Sequence, residues 1–187
     1  MEDDAGDDRQ FSQATTLRDG TPVTIRAMRP DDRERIVAAF SKLEANTIYT
    51  RFFSFRKELP GSALDRIAAI DFDQLAGLVV TLGSGSAQTV IGSATYVGSV
   101  ASDGATVAEV AFTIEEDYQR QGLAGKLLAA LATLARRHGI ARFVAEVLAE
   151  NASMLAVFER SGLPMQRRRE DGVIRITLDL APPARPL

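Results

Sequence analysis

The sequence predicts an α/β layered domain, a mixed sheet with helices packed on it. Three observations lead there. Segments in which every second residue is apolar are interleaved with segments whose apolar residues recur every three or four positions. The chain has 187 residues, 45% of them apolar, which suits one hydrophobic core. No internal repeat, linker-like stretch or apolar run of the ~18 residues that a membrane span needs breaks the order.

The elements follow in turn. Pro22 to Met28 alternates as a strand, and Arg29-Pro30-Asp31-Asp32 is a turn and helix start, with Asp31 or Asp32 where the helix dipole favours an acid. Ile36, Val37, Phe40 and Leu43 make the apolar face of that helix. Residues 46–59 read as an aromatic and basic loop or short helix, and Gly61-Ser62 opens a helix running to Ile70. Leu75 to Leu82 and Thr89 to Val97 form a hairpin around G-S-G-S. A strand from Val107, a helix from Gly122, a strand over Ile140 to Leu148 and a helix from Asn151 to a Gly162 stop come next. Arg167-Arg168-Arg169 is a solvated strand edge or turn, or a patch that steers acidic substrates, and Val173 to Leu180 is the last strand. Residues 1–14 are expected as a disordered acidic tail, 15–181 as the domain and 182–187 as a flexible proline-rich tail.

Composition removes several chemistries. Without cysteine there is no disulfide, thiolate metal site or Cys nucleophile, and one histidine rules out His-based metal clusters and Ser-His-Asp catalysis. No metal is expected. His138 itself reads as a surface histidine favoured by a helix C-terminus. Glu2, Asp3, Asp4, Asp7 and Asp8 put -5 on the first eight residues of a chain whose net charge is -3, leaving about +2 for the remainder. That balance suits an anionic cofactor but does not argue for nucleic acid. With no membrane segment and no signal-like start, the expected location is the cytoplasm.

The most informative stretch runs from Val107 to Gly139. Alternation puts Ala108, Val110, Phe112 and Ile114 on one face of a strand and Val107, Glu109, Ala111 and Thr113 on the other, so one acid interrupts a buried-looking segment. Leu127, Leu131, Leu134 and Ala135 then recur at helical spacing. No Ser, Thr, Asp or Asn stands at Gln121 or Gly122 to cap that helix. Its first amides, near Gly122, Ala124 and Gly125, are left without a side-chain partner, and the dipole there favours an anion. A phosphate seat is the reading. A Walker loop is excluded because Leu127 follows Gly125-Lys126, and a dinucleotide fingerprint because Gln88 stands where its third glycine should be.

The Q-x-x-G-x-A of Gln119 to Ala124 resembles motif A of the GNAT superfamily of N-acyltransferases, whose pattern is Q/R-x-x-G-x-G/A. The similarity continues through E-N-A-S-M-L-A-V-F-E-R-S-G-L at 150–163. L-R-D-G-T-P-V-T-I-R-A-M-R-P-D-D at 17–32 and I-Y-T-R-F-F at 48–53 resemble one branch, the bacterial protein-lysine acetyltransferases that modify acetyl-CoA synthetase. The resemblance implies a mostly antiparallel mixed sheet and acetyl-CoA as co-substrate. It also implies a cofactor site in which backbone near Phe112, Thr113 and Ile114 pairs with the pantetheine arm. Amides from Arg120 through Gln121, Gly122, Leu123, Ala124 and Gly125 to Lys126, after Gln119, would hold the pyrophosphate. Asn151 would touch the arm or simply cap its helix. Phe158 stands where many relatives carry a tyrosine that protonates the departing thiolate, and phenylalanine has no proton to give.

Acyl transfer to an amine needs a base for the ammonium and support for the thioester oxygen. Glu109 is the candidate base, expected to be buried with its pKa raised by desolvation, or else a structural acid paired with an arginine. Five residues separate it from Ile114, about 16 Å at ~3.3 Å per residue, which is of the order of a pantetheine arm. Tyr49, Arg51, Phe52, Phe53, Phe55 and Arg56 either shape an acceptor entrance or serve as core anchors and solvated charges. The leading expectation is acetyl transfer from acetyl-CoA to a protein lysine, with acetyl-CoA synthetase a candidate acceptor. The alternatives are a small-amine acetyltransferase and a non-catalytic acyl-CoA sensor.

Overall fold

The computed structural model describes residues 7–53 and 57–180. The acids at positions 2–4, Phe55, Arg56 and the proline-rich end lie outside the described residues. The strands are β1 (Ser12–Thr16), β2 (Pro22–Ala27), β3 (Leu75–Leu82), β4 (Thr89–Val100), β5 (Thr106–Ile114), β6 (Arg142–Leu148), β7 (Met165–Glu170) and β8 (Val173–Asp179). They form one sheet in the order β1-β2-β3-β4-β5-β6-β8-β7. Every neighbouring pair is antiparallel except β5 with β6. The helices are α1 (Arg33–Phe40), α2 (Ala45–Phe52), α3 (Gly61–Ala68), α4 (Leu123–Arg137) and α5 (Ala152–Glu159).

Alternation along the strands feeds two cores. Leu78 and Val80 of β3, Ala94 and Tyr96 of β4, and Ala108 and Val110 of β5 pack with Leu123, Leu127, Leu128, Leu131 and Leu134 of α4. Val79 and Val90, from the other face, meet Met28, Ile67, Ile36 and Leu64 under α1 and α3. Tyr96 is fully buried, and its hydroxyl donates to Phe72 O at 3.1 Å.

Two elements depart from expectation. β1 begins at Ser12, inside the segment expected to be tail. It has almost no apolar residues to signal it and is held by pairing with β2, Ser12 opposite Arg26 through Thr16 opposite Pro22. Asp8 is also engaged rather than solvated. Its side chain, 8% exposed, accepts from Arg137 Nη1 at 2.7 Å and lies 2.8 Å from His138 Nε2, tying the N-terminal segment to the end of α4. Arg167, Arg168 and Arg169 lie on β7, the exposed edge strand, where Arg167 pairs with Glu159 and Arg168 with Glu170.

The entry to α1 is locked by a buried ion pair. Arg26 gives two hydrogen bonds of 2.7 Å to Asp32, whose carboxylate also accepts the Arg29 N–H at 2.9 Å. Burial alone would push the Asp32 carboxyl up; the Arg26 bonds, the Arg29 amide and the charges of Arg26 and Arg35 outweigh it and hold it below the usual carboxylate range. Asp32→Ala leaves a buried guanidinium uncompensated and should cost about 3–5 kcal/mol in urea unfolding. A carboxyl depressed by folding stabilises the fold above its unfolded value of about 4, and that contribution is lost as pH falls through the lower folded value. Unfolding free energy should therefore drop below about pH 4, and less steeply in Asp32→Ala.

Candidate active site

α4 starts on a bare end. Its cap is Gly122 at φ 85°, in the left-handed region that glycine adopts without strain, and no side chain caps it. Arg120 is also left-handed at φ 59°. No acid stands in the first turn. Among the described residues none accepts from the amides of 120–125, whereas the Lys126 N–H is already bonded to Gly122 O at 3.3 Å. About half a positive charge of helix dipole converges on these free donors, and the left-handed turns add to the concavity.

Beside this end the sheet opens. β5 and β6 pair in parallel only from Val107–Arg142 to Glu109–Val144, although β5 runs on to Ile114 and β6 to Leu148. Glu115 N–H bonds to Ile91 O on the β4 side, and Thr106 O accepts from Ala141 N–H on the β6 side. Alternation therefore turns the backbone groups of even-numbered β5 residues toward β6. Phe112 and Ile114 lie past the last paired residues and present their main chain to the gap. Gln119 Nε2 takes up the Ile114 carbonyl at 3.1 Å and Thr47 Oγ1 at 3.1 Å, joining the β5 end to α2.

Glu109 sits where the two strands part, and its side chain is exposed rather than buried. The expected burial is therefore absent, although α2 packs against β5 nearby. The alternative of a structural ion pair is also absent: among the described residues, none holds the Glu109 carboxylate. Arg51 of α2 lies over the Phe52 ring at 4.7 Å. Burial pushes its guanidinium down, Glu109 opposes that and Arg66 adds to it, so the three charges share one side. Phe52 packs edge-on against Phe40 at 5.9 Å and acts as an anchor, whereas Phe53 is 38% exposed. Thr113 and Glu115 line a mostly apolar groove with Ile36, Phe40, Leu43 and Phe52.

Other expected site residues are placed differently. Leu123 is 1% exposed, so only its amide can reach a ligand. Lys126 has no free cation to offer, because its Nζ donates to Thr15 Oγ1 and Thr16 O of β1, both at 2.6 Å. Phe158, expected at the cofactor, is 1% exposed and packs edge-on against Phe112 at 6.0 Å, so it supports β5 from within the core. Asn151 caps α5: its Oδ1 accepts from Met154 N–H at 3.2 Å and from Ser153 Oγ at 3.0 Å. Gln121 and Ala124 are half-buried and Gly125 is exposed. One neighbour had no sequence signal. Arg18, in the turn between β1 and β2, puts its Nε 3.9 Å from where a Cβ on Gly122 would stand.

Residues 23–164 match the acetyltransferase (GNAT) domain model. The acetyltransferase Pat of Mycolicibacterium smegmatis is 32% identical over 166 residues, which are 89% of this chain and 48% of that protein. An acetyltransferase of Pseudomonas aeruginosa is 31% identical over 83% of this chain and 82% of its own. The GNAT domain of PAT from S. lividans superposes with a TM-score of 0.79 at 33% identity, covering 90% of this chain and 96% of that one. The chain belongs to the GNAT acetyltransferase family and spans about half the length of the mycobacterial relative. Family model and superposed domain agree on an acetyltransferase (GNAT) domain. Among the described residues no group of three or more His, Cys, Asp or Glu is arranged to hold a metal, and no helix is long and apolar enough to cross a membrane.

Gly122→Ala meets open space apart from Arg18 but must hold φ 85°, and should cost about 1–2 kcal/mol of stability. Gly122→Glu adds a carboxylate beside the free amides and should abolish coenzyme A binding in calorimetry while the protein stays folded. Asn151→Ala removes a helix cap and should lower stability by about 1 kcal/mol in thermal or urea unfolding.

Proposed function

We propose that the protein moves an acetyl group from acetyl-CoA to a lysine side chain of another protein by direct attack, with Glu109 as general base. The observation that carries this reading is an exposed carboxylate, without an ion-pair partner among the described residues, at the point where β5 and β6 separate. The free amides at Arg120 to Gly125 suit the pyrophosphate, and the main chain of Phe112 with the Ile114 N–H, both past the last β6 pairing, suits the amides of the pantetheine arm. An arm laid between them brings its thioester toward Glu109.

A lysine has a pKa near 10.4, so about one in two thousand is neutral at pH 7. Glu109 accepts the proton directly or through one water, its exposure leaving it within reach of an amine on a protein surface. The amine nitrogen then bonds to the acetyl carbon, the carbon–sulfur bond breaks, and the second proton of the nitrogen passes to water. Phe158 supplies no proton, and Ser153 Oγ is donated to Asn151. The departing thiolate, whose thiol has a pKa of about 8.5, leaves as the anion and takes its proton from water. The open margin around Glu109 supports a protein acceptor over a small amine, which a closed acidic pocket would favour. Similarity to Pat and PAT supports the same branch and makes acetyl-CoA synthetase the first acceptor to try. The buried Phe158 is the one observation that favours an acyl-CoA sensor, and turnover decides between the two.

Incubation with acetyl-CoA and a proteome extract, followed by mass spectrometry, should reveal new acetyl-lysines. Glu109→Gln should lower kcat about a hundredfold or more near neutral pH while leaving the acetyl-CoA Kd within twofold. An unchanged rate removes Glu109 from the reaction.

A further inference from the structure

The turn between β1 and β2 stands at the head of α4, although more than a hundred residues of chain separate them. Lys126 holds it there. Its Nζ donates to Thr15 Oγ1 and Thr16 O, each at 2.6 Å, which spends the one lysine of the motif on fixing the hairpin. The turn is short and tight: Leu17 N–H bonds to Thr21 O at 2.9 Å, Gly20 N–H to Leu17 O at 3.1 Å, and Leu17 is anchored in the core at 4% exposure. Arg18 is the next residue. It is exposed, without an ion-pair partner among the described residues, and its Nε lies 3.9 Å from the Cβ position of Gly122. Asp19 is turned away, accepting the Thr21 N–H at 2.9 Å.

We infer that Arg18 is a phosphate-binding residue for coenzyme A, held in place by Lys126 and supplying the cation that Lys126 itself does not. The guanidinium stands at the same end of α4 as the free amides. It offers planar, paired donors that match phosphate oxygens. Two phosphate groups lie within the chemistry of one ligand, the pyrophosphate and the 3′-phosphate, and Arg18 recognises either through the same contact. The inference rests on the acetyl-CoA reading above.

Titration calorimetry of the full chain with coenzyme A and with 3′-dephospho-coenzyme A tests it. Arg18→Gln should bind coenzyme A about ten- to a hundredfold more weakly, with an unchanged melting temperature because the side chain is exposed. An equal loss with both ligands assigns the contact to the pyrophosphate; a loss with coenzyme A alone assigns it to the 3′-phosphate. Equal affinity of variant and parent for both ligands overturns the role of Arg18 while leaving the cofactor reading intact. No binding by the parent chain overturns the cofactor reading and this inference with it. Lys126→Met should weaken binding in the parent but add nothing in the Arg18→Gln chain. A Lys126→Met loss that persists in full there makes Lys126 a direct ligand and overturns its positioning role.

Discussion

A parallel strand pair cannot be closed by a tight turn; its connection must cross the sheet and come back, and a helix is the usual way to do so. Among the described residues β5 and β6 are the one such pair, and α4 is the crossover. That requirement brings the start of a helix to the end at which β5 finishes. The turn from Gln119 to Gly122 must then reverse the chain in few residues, which Arg120 and Gly122 do in left-handed conformations that leave their amides free. The same pair separates after Glu109. Free helix amides, unpaired strand backbone and an uncovered carboxylate thus share one cause. A sheet antiparallel throughout would have none of them in this arrangement.

Different forces hold the surroundings. The leucines of α4 are all but inaccessible, and burial of that size fixes the helix against β3, β4 and β5. The margins are held by polar contacts instead: Arg26 with Asp32 at the entry to α1, Asp8 with Arg137 and His138 under the end of α4, and Lys126 with β1. Buried, doubly bonded Arg26 and Asp32 are costly to separate. Half-exposed Arg137 contributes far less through Asp8, because solvent screens it. The apolar framework therefore sets where the site is, and the polar margins set how the peripheral segments close around it.

Much of this was legible in the residues. Alternation identified the two faces of β5, and the missing cap identified the head of α4, because both are local signals. What alternation does not report is whether a face is covered. Alternation alone therefore predicts a buried Glu109, yet its side chain is exposed. β1 carried no apolar period to detect, since an edge strand that packs on little needs none. The placements of the Lys126 ammonium and of Arg18 leave no local signal for a similar reason. Nothing in G-L-A-G-K tells that the ammonium finds two oxygens on a strand far back in the chain.

Phe158 shows how packing and chemistry compete for one position. Its ring meets Phe112 edge to face at 6.0 Å with 1% exposure, so it buttresses the strand whose backbone faces the gap. A hydroxyl on that ring would need a buried partner or a path to the gap, and an unpaired buried hydroxyl is destabilising. A phenylalanine avoids that cost and stiffens β5, at the loss of a proton donor. Under the proposed reaction the loss is tolerable on one side only. The thiolate is a competent leaving group without help, whereas the ammonium cannot attack until a base removes its proton. In that proposed reaction the exposed Glu109 carboxylate serves the step that needs a base, and the buried Phe158 ring stands where no proton donor is required.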